Sequence, residues 1–274
     1  MEVEFLSPSI GAIIRGLNIQ KPLLKNEFKK FVDLWHDRQV VILRGQDLSP
    51  KQYLSFAHQL GTPDLYPFLK GLDKFPEITP VLKKETETVN FGGVWHSDTS
   101  YQTSPPMATM LYALELPPVG GDTLFANQYE AYESLSDGLK DTLAKLKSVC
   151  RPDKAAAMST REDRIAERGR DTSKDNLIGI HPVIRTHPET GKKALYVNRA
   201  HSCHFEGWSI AESEGLLEFL FAHQIKEEFQ CRHVWKKGDL AIWDNRCTLH
   251  YPVNDYHGHR RLLHRITLKG DTPV

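Results

Sequence analysis

A histidine and an aspartate separated by one residue, His96 and Asp98, lie in the stretch NFGGVWHSDTSY. In an extended strand, residues i and i+2 point to the same face with their Cα atoms about 7 Å apart. An imidazole and a carboxylate at that spacing can bind one ion, and iron and zinc accept both ligand types. The flexible residues Gly92 and Gly93 precede the pair and indicate an open approach. We therefore expect a metal site at His96 and Asp98, carried by a strand.

The spacing alone does not single out this pair, because the chain has 13 histidines. The same spacing occurs twice more, at His187 with Glu189 and at His204 with Glu206. Pro188 and Gly191 place the first of these pairs in a hairpin turn, where we expect both side chains in water. The second pair lies in a connection just before a helix start at Ser209. The context therefore favours His96 and Asp98.

A third ligand is needed for a mononuclear iron site with two histidines and one carboxylate, which leaves the opposite positions open for substrate and oxygen. His250 is the best candidate, at the end of the strand-like run DLAIWDNRCTLHYP. The polar residues Asp244, Asn245 and Arg246 in this run could orient or support a ligand. A hydrogen-bonded core histidine is the alternative interpretation of His250.

Two arginines share one face of the predicted strand HRRLLHRITLKG, because Arg261 and Arg265 are four residues apart. Guanidinium groups bind carboxylates through two hydrogen bonds, and burying two of them is unfavourable unless anions pair with them. The anions would be a cosubstrate and a substrate. Ion pairs with acidic residues of the chain itself are the alternative.

The elements that position these residues are mainly strands. Ser49 and Gln52 form a predicted capping box, with Pro50 in the first helical turn and Gly61 at the end of that helix. Apolar spacing predicts helices in residues 26–38 and 213–225. Runs rich in β-branched and aromatic residues predict strands in 39–45, 107–116, 121–126, 178–187, 194–198, 230–236, 240–244 and 261–269. This pattern favours a mainly β fold with flanking helices (α+β), arranged as a sandwich or jelly roll.

The composition indicates an ordinary globular protein of one domain over residues 1–274. Its 35 basic and 35 acidic residues give no net charge, so neither nucleic acid nor a membrane surface is an expected partner. The start lacks the features of a signal peptide, no apolar run could span a bilayer, and the four cysteines show no metal-binding spacing. We expect a cytoplasmic protein with buried thiols, and the oligomeric state stays open, a homo-oligomer included. The charged segment 153–176 is either a lid over the site or a surface helix.

Taken together, the motifs WHSD (95–98), GGDTLF (120–125), WDNRCTLHYP (243–252) and RRLLHRIT (260–267) resemble the TauD/TfdA family of dioxygenases. The resemblance implies a double-stranded β-helix and an enzyme that uses Fe(II), 2-oxoglutarate and O2. It implies that His96, Asp98 and His250 are the metal ligands. Thr123 and Arg261 match the residues that bind the distal carboxylate of 2-oxoglutarate. Arg265 matches an arginine that lies near the metal end of the cosubstrate and binds an anionic substrate.

The resemblance also implies the reaction: hydroxylation of a C–H bond in a small organic anion, such as a carboxylate, sulfonate or sulfate, coupled to formation of succinate and CO2. A leaving group on the hydroxylated carbon would then be released. Gly92 stands where taurine dioxygenases have an asparagine, Tyr66 where they have a substrate-contacting histidine, and Asp98 argues against a halogenase. Phrases such as YPFLKGLDKFPEI (66–78) are similar to the aryloxyalkanoate branch. A zinc hydrolase with the same three ligands and a non-catalytic metabolite-binding jelly roll are the alternatives.

Overall fold

The computed structural model describes residues 1–153, Gly169 and 177–274. The predicted lid at 153–176 lies outside the described residues, apart from Asp153 and Gly169. Five helices are described: α1 (Lys25–Arg38), α2 (Pro50–Leu60), α3 (Gln128–Glu133), α4 (Asp137–Leu143) and α5 (Ile210–His223), with a short 3-10 helix at Glu227–Phe229. The predicted capping box of α2 is confirmed, because the Ser49 side chain accepts the backbone N–H of Gln52 and the helix ends at Gly61. None of the described helices has the length and apolarity to cross a bilayer.

Strands dominate the described part of the chain, as the sequence predicts. They are β1 (Glu2–Phe5), β2 (Ala12–Arg15), β3 (Val40–Leu43), β4 (Pro63–Asp64), β5 (Thr79–Lys83), β6 (Ala108–Glu115), β7 (Thr123–Asn127), β8 (Lys147–Cys150), β9 (Gly179–Pro182), β10 (Ile184–Thr186), β11 (Lys193–Leu195), β12 (Ser202–Phe205), β13 (Gln230–His233), β14 (Leu240–Asp244), β15 (Thr248–Pro252) and β16 (Arg261–Leu268).

The largest sheet contains eight strands in the order β1-β2-β3-β14-β6-β16-β4, with β5 paired to β16. Every pairing in this sheet is antiparallel except that of β2 with β3. The strands β3 and β14 lie at its centre, and every residue of both is buried. Their Val and Ile content suits this position, because a strand covered on both faces is apolar throughout. This sheet carries the two arginines of β16.

A smaller sheet, β13-β7-β15, faces the large one and carries Thr123 and His250. Phe125 from β7 packs against Trp243 from β14 with ring centroids 5.5 Å apart. Apolar residues of the two sheets form one buried cluster that includes Phe125, Cys231, Ile42 and Leu263. The outer face of the large sheet is covered by α1 and α2. The two facing sheets match the expected sandwich.

The turn that carries His187 differs from the prediction. We expected its side chain in water, but His187 is only 1% exposed, and its Nε2 lies 2.9 Å from Asp244 Oδ2. Its Nδ1 accepts the backbone N–H of Thr190 at 3.1 Å. Arg246 also joins this turn to β14, because its guanidinium contacts both Asp244 and Glu189. The turn is buried because these ion pairs dock it on the end of β14, a contact that turn composition alone cannot indicate. His204 likewise lies on a strand, β12, and not in an irregular connection.

Candidate functional site

The structure brings His96, Asp98 and His250 together. The potential ligand atoms of the three side chains all lie within 4.8 Å of one another, and His96 Nε2 is 3.7 Å from Asp98 Oδ1. His250 lies on β15, and His96 pairs with it in an isolated bridge, in which each backbone N–H donates to the other residue's carbonyl at 3.1 and 2.9 Å. The expectation that His96 and Asp98 share a regular strand is wrong, because the chain turns at Asp98 and Thr99 has a positive φ of 44°. The bridge to β15 holds His96 in place instead.

The protonation states suit metal binding. His96 Nδ1 lies 2.7 Å from the carbonyl oxygen of Val94, so this nitrogen carries the proton and Nε2 is the nitrogen that can coordinate a metal. Burial, together with the nearby charge of His96, lowers the pKa of His250 well below its ordinary value, which keeps its imidazole neutral. Burial alone would raise the pKa of Asp98, but Arg265 and the two histidines hold it well below its usual range. The cluster therefore offers two imidazoles and one ionised carboxylate.

A cavity of about 500 Å³, its open mouth included, extends from this cluster between the two sheets. Thr123 and Arg261 line it together with Leu111, Trp243 and Arg265. Thr123 and Arg261 are 2% and 5% exposed, so the cavity combines buried polar groups with apolar walls. A small dicarboxylate with one end at the cluster and the other at Arg261 would match this distribution of charge.

The guanidinium of Arg261 has no carboxylate partner among the described residues. Its Nε and Nη2 are buried without a hydrogen-bond acceptor there, and its Cζ lies 5.5 Å from the ring centroid of Trp235 and 5.8 Å from that of Tyr256. Burial lowers the pKa of Arg261, which records the unfavourable desolvation of its charge. The described acids do not supply the ion pair considered as an alternative for Arg261. An anion in the cavity would therefore satisfy this group.

Arg265 has a different environment. Its Nη2 lies 3.1 Å from Asp98 Oδ1, and its Cζ lies 4.5 Å from the ring centroid of Tyr66. Arg265 thus forms an ion pair with an acidic residue of the chain, which is the alternative to anion binding that the sequence left open. Its Nε is nevertheless buried without an acceptor among the described residues. Arg265 can therefore face both the cluster and an incoming anion.

A second cavity, of about 340 Å³ with its mouth, is also lined by His96 and Asp98 of the cluster. Tyr66, Phe91, Tyr101, His201 and Arg265 are among its lining residues. Gly92 also lines it, with a φ of +75°, and a Cβ at this position would lie 3.0 Å from His96 Cε1. Glycine is thus the residue that fits beside His96 here without displacing it.

Several residues of the site were not predicted. Phe91 and His201 line the cavities, Thr109 donates a hydrogen bond to Asp98, and Trp235 Nε1 donates to Thr123 Oγ1 at 3.0 Å. Thr109 and Trp235 contact site residues that belong to other segments of the chain. The alternation of side chains along a single strand cannot predict such contacts. His201 belongs to the segment YVNRAHSCHF, for which the sequence gives no clear period.

A second group, His187, Asp244 and Cys247, also has ligand atoms within 4.8 Å of one another. Arg246 occupies both carboxylate oxygens of Asp244, and backbone N–H groups occupy His187 Nδ1. This group is therefore part of a buried ion-pair network that docks a turn. Of the polar residues suggested as supports for the ligands, only Asn245 connects to the cluster, whereas Asp244 and Arg246 bind each other.

Comparison with known proteins agrees with this geometry. The family model described as taurine catabolism dioxygenase TauD, TfdA family matches residues 2–267. The alpha-ketoglutarate-dependent sulfate ester dioxygenase of Pseudomonas putida is 31% identical, covering 100% of this chain and 91% of its own. The alpha-ketoglutarate-dependent 2,4-dichlorophenoxyacetate dioxygenase of Cupriavidus pinatubonensis is 32% identical, covering 98% of each chain.

Solved structures are similar over the same length. A putative alpha-ketoglutarate-dependent taurine dioxygenase from Burkholderia xenovorans superposes with a TM-score of 0.83 at 32% identity, covering 100% of this chain and 91% of that one. AAD-2 in complex with Mn(II) and N-oxalylglycine superposes with a TM-score of 0.82 at 25% identity, covering 99% and 98%. These similarities confirm the jelly-roll core expected from the sequence. The chain belongs to the TauD/TfdA family of dioxygenases, enzymes that use Fe(II), 2-oxoglutarate and O2.

Proposed function

We propose that this enzyme hydroxylates a small organic anion at the His96–Asp98–His250 cluster, with Arg261 and Arg265 as the two anion-binding groups. The observation that carries the proposal is that two buried arginines line the same cavity as the three potential metal ligands. This charge distribution suits a dicarboxylate cosubstrate in the larger cavity and a second anion in the smaller one. The relatives named for sulfate esters, sulfonates and 2,4-dichlorophenoxyacetate also act on organic anions.

Iron(II) would be held by His96 Nε2, Asp98 and His250. The buried Nδ1 of His250 has no hydrogen-bond partner among the described residues, and two imidazoles with a carboxylate form a donor set that iron(II) accepts. The bound iron and cosubstrate supply the oxidation, in which one oxygen atom of O2 enters a C–H bond and the other enters succinate. The protein residues determine which C–H bond lies within reach.

Arg261 and Thr123 would hold the distal carboxylate of 2-oxoglutarate. The Thr123 hydroxyl accepts the N–H of Trp235, so its own proton can be donated to a carboxylate oxygen. The guanidinium can donate from Nε and Nη2, the two atoms that lack acceptors among the described residues. Leu111 and Trp243 line the cavity and would exclude water around the bound anion.

Arg265 and Tyr66 would bind the anionic group of the primary substrate. Both line the smaller cavity, and the aromatic rings of Tyr66, Phe91 and Tyr101 give it apolar walls for the rest of the molecule. We infer a carboxylate, sulfonate or sulfate that carries an apolar group. Hydroxylation of the carbon that bears an ester, ether or sulfonate group would release that group as the product breaks down.

The zinc hydrolase and the non-catalytic binding protein are less well supported. Hydrolysis at zinc would use the three protein ligands and a metal-bound water, but it gives no role to the buried Arg261, whose Nε and Nη2 have no hydrogen-bond acceptor among the described residues. The curated relatives described above are dioxygenases by name.

Product analysis tests the proposed function. The purified enzyme would be reconstituted with Fe(II) or with Zn(II) and incubated with 2-oxoglutarate, O2 and a panel of sulfate esters, sulfonates and aryloxyalkanoates. We expect succinate formation that depends on Fe(II) and on an anionic substrate. Substrate cleavage by the zinc form without consumption of 2-oxoglutarate would overturn the proposal.

We further propose that the enzyme acts in the cytoplasm. Its four cysteines, all among the described residues, form no disulfide bond, and three of them are buried. Free thiols are typical of reducing compartments. Fractionation of the native host cells with detection of this chain tests the assignment, and recovery in a secreted fraction would contradict it.

A further inference from the structure

A chain of buried hydrogen bonds ends on Asp98, and two of its members, Asn245 and Thr109, have no role in the proposed function described above. It runs from Trp243 through Asn245 and Thr109 to the carboxylate, and we call it the Asp98 hydrogen-bond chain. Trp243 Nε1 donates to Asn245 Oδ1 at 2.9 Å, and Asn245 Nδ2 donates to Thr109 Oγ1 at 2.8 Å. Thr109 Oγ1 then donates to Asp98 Oδ2. All four side chains are at most 5% exposed.

The indole N–H of Trp243 fixes the donor and acceptor of every hydrogen bond in this chain. The indole of Trp243 can only donate, so the atom of Asn245 that faces it must be the oxygen. The amide nitrogen of Asn245 therefore faces Thr109 and donates to its hydroxyl oxygen. With that oxygen already accepting, the single hydroxyl proton of Thr109 is available for Asp98 Oδ2. One indole N–H thus determines the orientation of an amide and of a hydroxyl two bonds away.

The fold holds these residues in register. Trp243 and Thr109 are cross-strand partners on β14 and β6, and the backbone N–H of Asn245 donates to the Met107 carbonyl at 2.9 Å. The Ser97 hydroxyl donates to the Asn245 carbonyl at 2.8 Å. Asn245 therefore fixes both the hydrogen-bond chain and the loop that carries Asp98. This arrangement leaves little freedom for the carboxylate.

The consequence concerns the other carboxylate oxygen. Because Oδ2 accepts the Thr109 proton, Oδ1 faces His96 Nε2 at 3.7 Å. We propose that the Asp98 hydrogen-bond chain makes Thr109 and Asn245 positioning residues, which orient Asp98 so that Oδ1 alone is presented to the metal. The inference rests on the proposed function, since it assumes that Asp98 is a ligand. Loss of a hydrogen bond that orients a ligand typically weakens metal affinity by about 10 to 100-fold.

The test is the affinity of the metal-free protein for Mn(II), measured from the loss of the free-ion EPR signal. Thr109→Val keeps the side-chain shape but removes the proton donor, and we expect a rise in Kd of about 10 to 100-fold. Thr109→Ser keeps the hydroxyl and should stay within about threefold of the wild type. In Asn245→Asp, residue 245 cannot donate a hydrogen bond to Thr109, so the Thr109 hydroxyl can donate to residue 245 instead of to Asp98. We therefore expect the Kd for Mn(II) to rise at least tenfold.

Thr267→Val is the matched control, because Thr267 is the cross-strand partner of Thr109 on β16 and is also buried. Its affinity for Mn(II) should not change. Wild-type affinity in both Thr109→Val and Asn245→Asp, or equal weakening in Thr109→Ser and Thr109→Val, would overturn the inference. If the wild type itself failed to bind Mn(II), the proposed metal site and not the hydrogen-bond chain would be wrong. Melting of each metal-free variant separates weak binding from loss of fold, and Asn245→Asp keeps the test valid if Thr109→Val does not fold.

Discussion

The two buried arginines of β16 differ in what surrounds them. Arg265 lies 3.1 Å from a carboxylate of the chain, whereas Nε and Nη2 of Arg261 have no acceptor among the described residues. Sequence spacing correctly put both on one buried face, because a strand alternates its side chains with a period of two. It could not distinguish their partners, since Asp98 and Trp235 approach from other elements. Contacts between side chains of different elements are the part of this site that the pattern of a single strand cannot predict.

Replacement of Arg261 should weaken binding of 2-oxoglutarate. Arg261→Met removes charge-assisted hydrogen bonds worth roughly 1.5 to 3 kcal/mol, which corresponds to about a tenfold to hundredfold rise in KM for 2-oxoglutarate. The neighbouring Arg260→Met is the control, because Arg260 forms an exposed ion pair with Glu115. Steady-state kinetics with 2-oxoglutarate as the varied substrate measures the effect. Equal kinetics in both variants would remove Arg261 from the cosubstrate site.

Replacement of Arg265 should weaken binding of the primary substrate. We expect Arg265→Ala to raise the KM for an anionic substrate at least tenfold, about 1.4 kcal/mol, while turnover still depends on 2-oxoglutarate. The measurement is kinetics with the best substrate of the anion panel. Unchanged substrate kinetics would show that Arg265 serves only Asp98 and the cosubstrate.

At the scale of elements, local signals predicted the helices α1, α2 and α5 and most strands of the core, but not the short helices α3 and α4. The capping box at Ser49 is a short-range pattern, so the bounds of α2 followed from sequence. The short strands β1, β2, β4, β5, β8 and β12 were not predicted, because the ladders of neighbouring strands stabilise them more than their own composition does. The loop of His96 is a further case, since a bridge to β15 replaces the expected strand.

The cap of α2 gives a test at this scale. Ser49→Ala removes the acceptor for the Gln52 N–H and should destabilise the protein by about 1 kcal/mol. Ser136→Ala is a suitable control, because Ser136 occupies the N-cap of α4 without a side-chain capping bond. Chemical denaturation of both variants gives the comparison. A loss of stability in Ser136→Ala as large as that in Ser49→Ala would contradict the role of the capping bond.

At the scale of the whole molecule, the site depends on two facing sheets and on a buried ionic network that joins distant segments. Asp244 at the end of β14 pairs with Arg246 and His187, which ties the turn after β10 to the large sheet. The sequence predicted the mainly β fold and its class, because strand composition and motif order extend over the chain. It did not predict the docking of this turn, which results from the His187–Asp244 hydrogen bond and the Glu189–Arg246 ion pair, each between residues 57 positions apart.

The ionic network should make stability depend on pH. Burial alone would raise the pKa of Asp244, but the Arg246 charge and the hydrogen bonds from Arg246 and His187 hold it well below its usual range. A depressed folded-state pKa contributes stability above the unfolded value, near pH 4, and this contribution is lost as the pH falls further. Asp244→Asn should therefore destabilise the protein by roughly 3 to 5 kcal/mol at pH 7, with a smaller difference at low pH.

Urea denaturation of the wild type and Asp244→Asn across this pH range measures the difference. Asp33→Asn is the matched control, because Asp33 pairs with Lys29 on an exposed face of α1 and should change stability by less than about 1 kcal/mol. A difference for Asp244→Asn that does not vary with pH would contradict the proposed ionic origin.

The most direct test of the account is the visible spectrum of the protein under anaerobic conditions, recorded after addition of Fe(II) and then of 2-oxoglutarate. If His96, Asp98 and His250 hold iron beside the Arg261 cavity, chelation of the cosubstrate produces a weak metal-to-ligand charge-transfer band in the wild type and none in His96→Ala. Absence of the band in the iron-loaded wild type, or a band of equal strength in His96→Ala, would contradict the assignment of this cluster as the catalytic metal site.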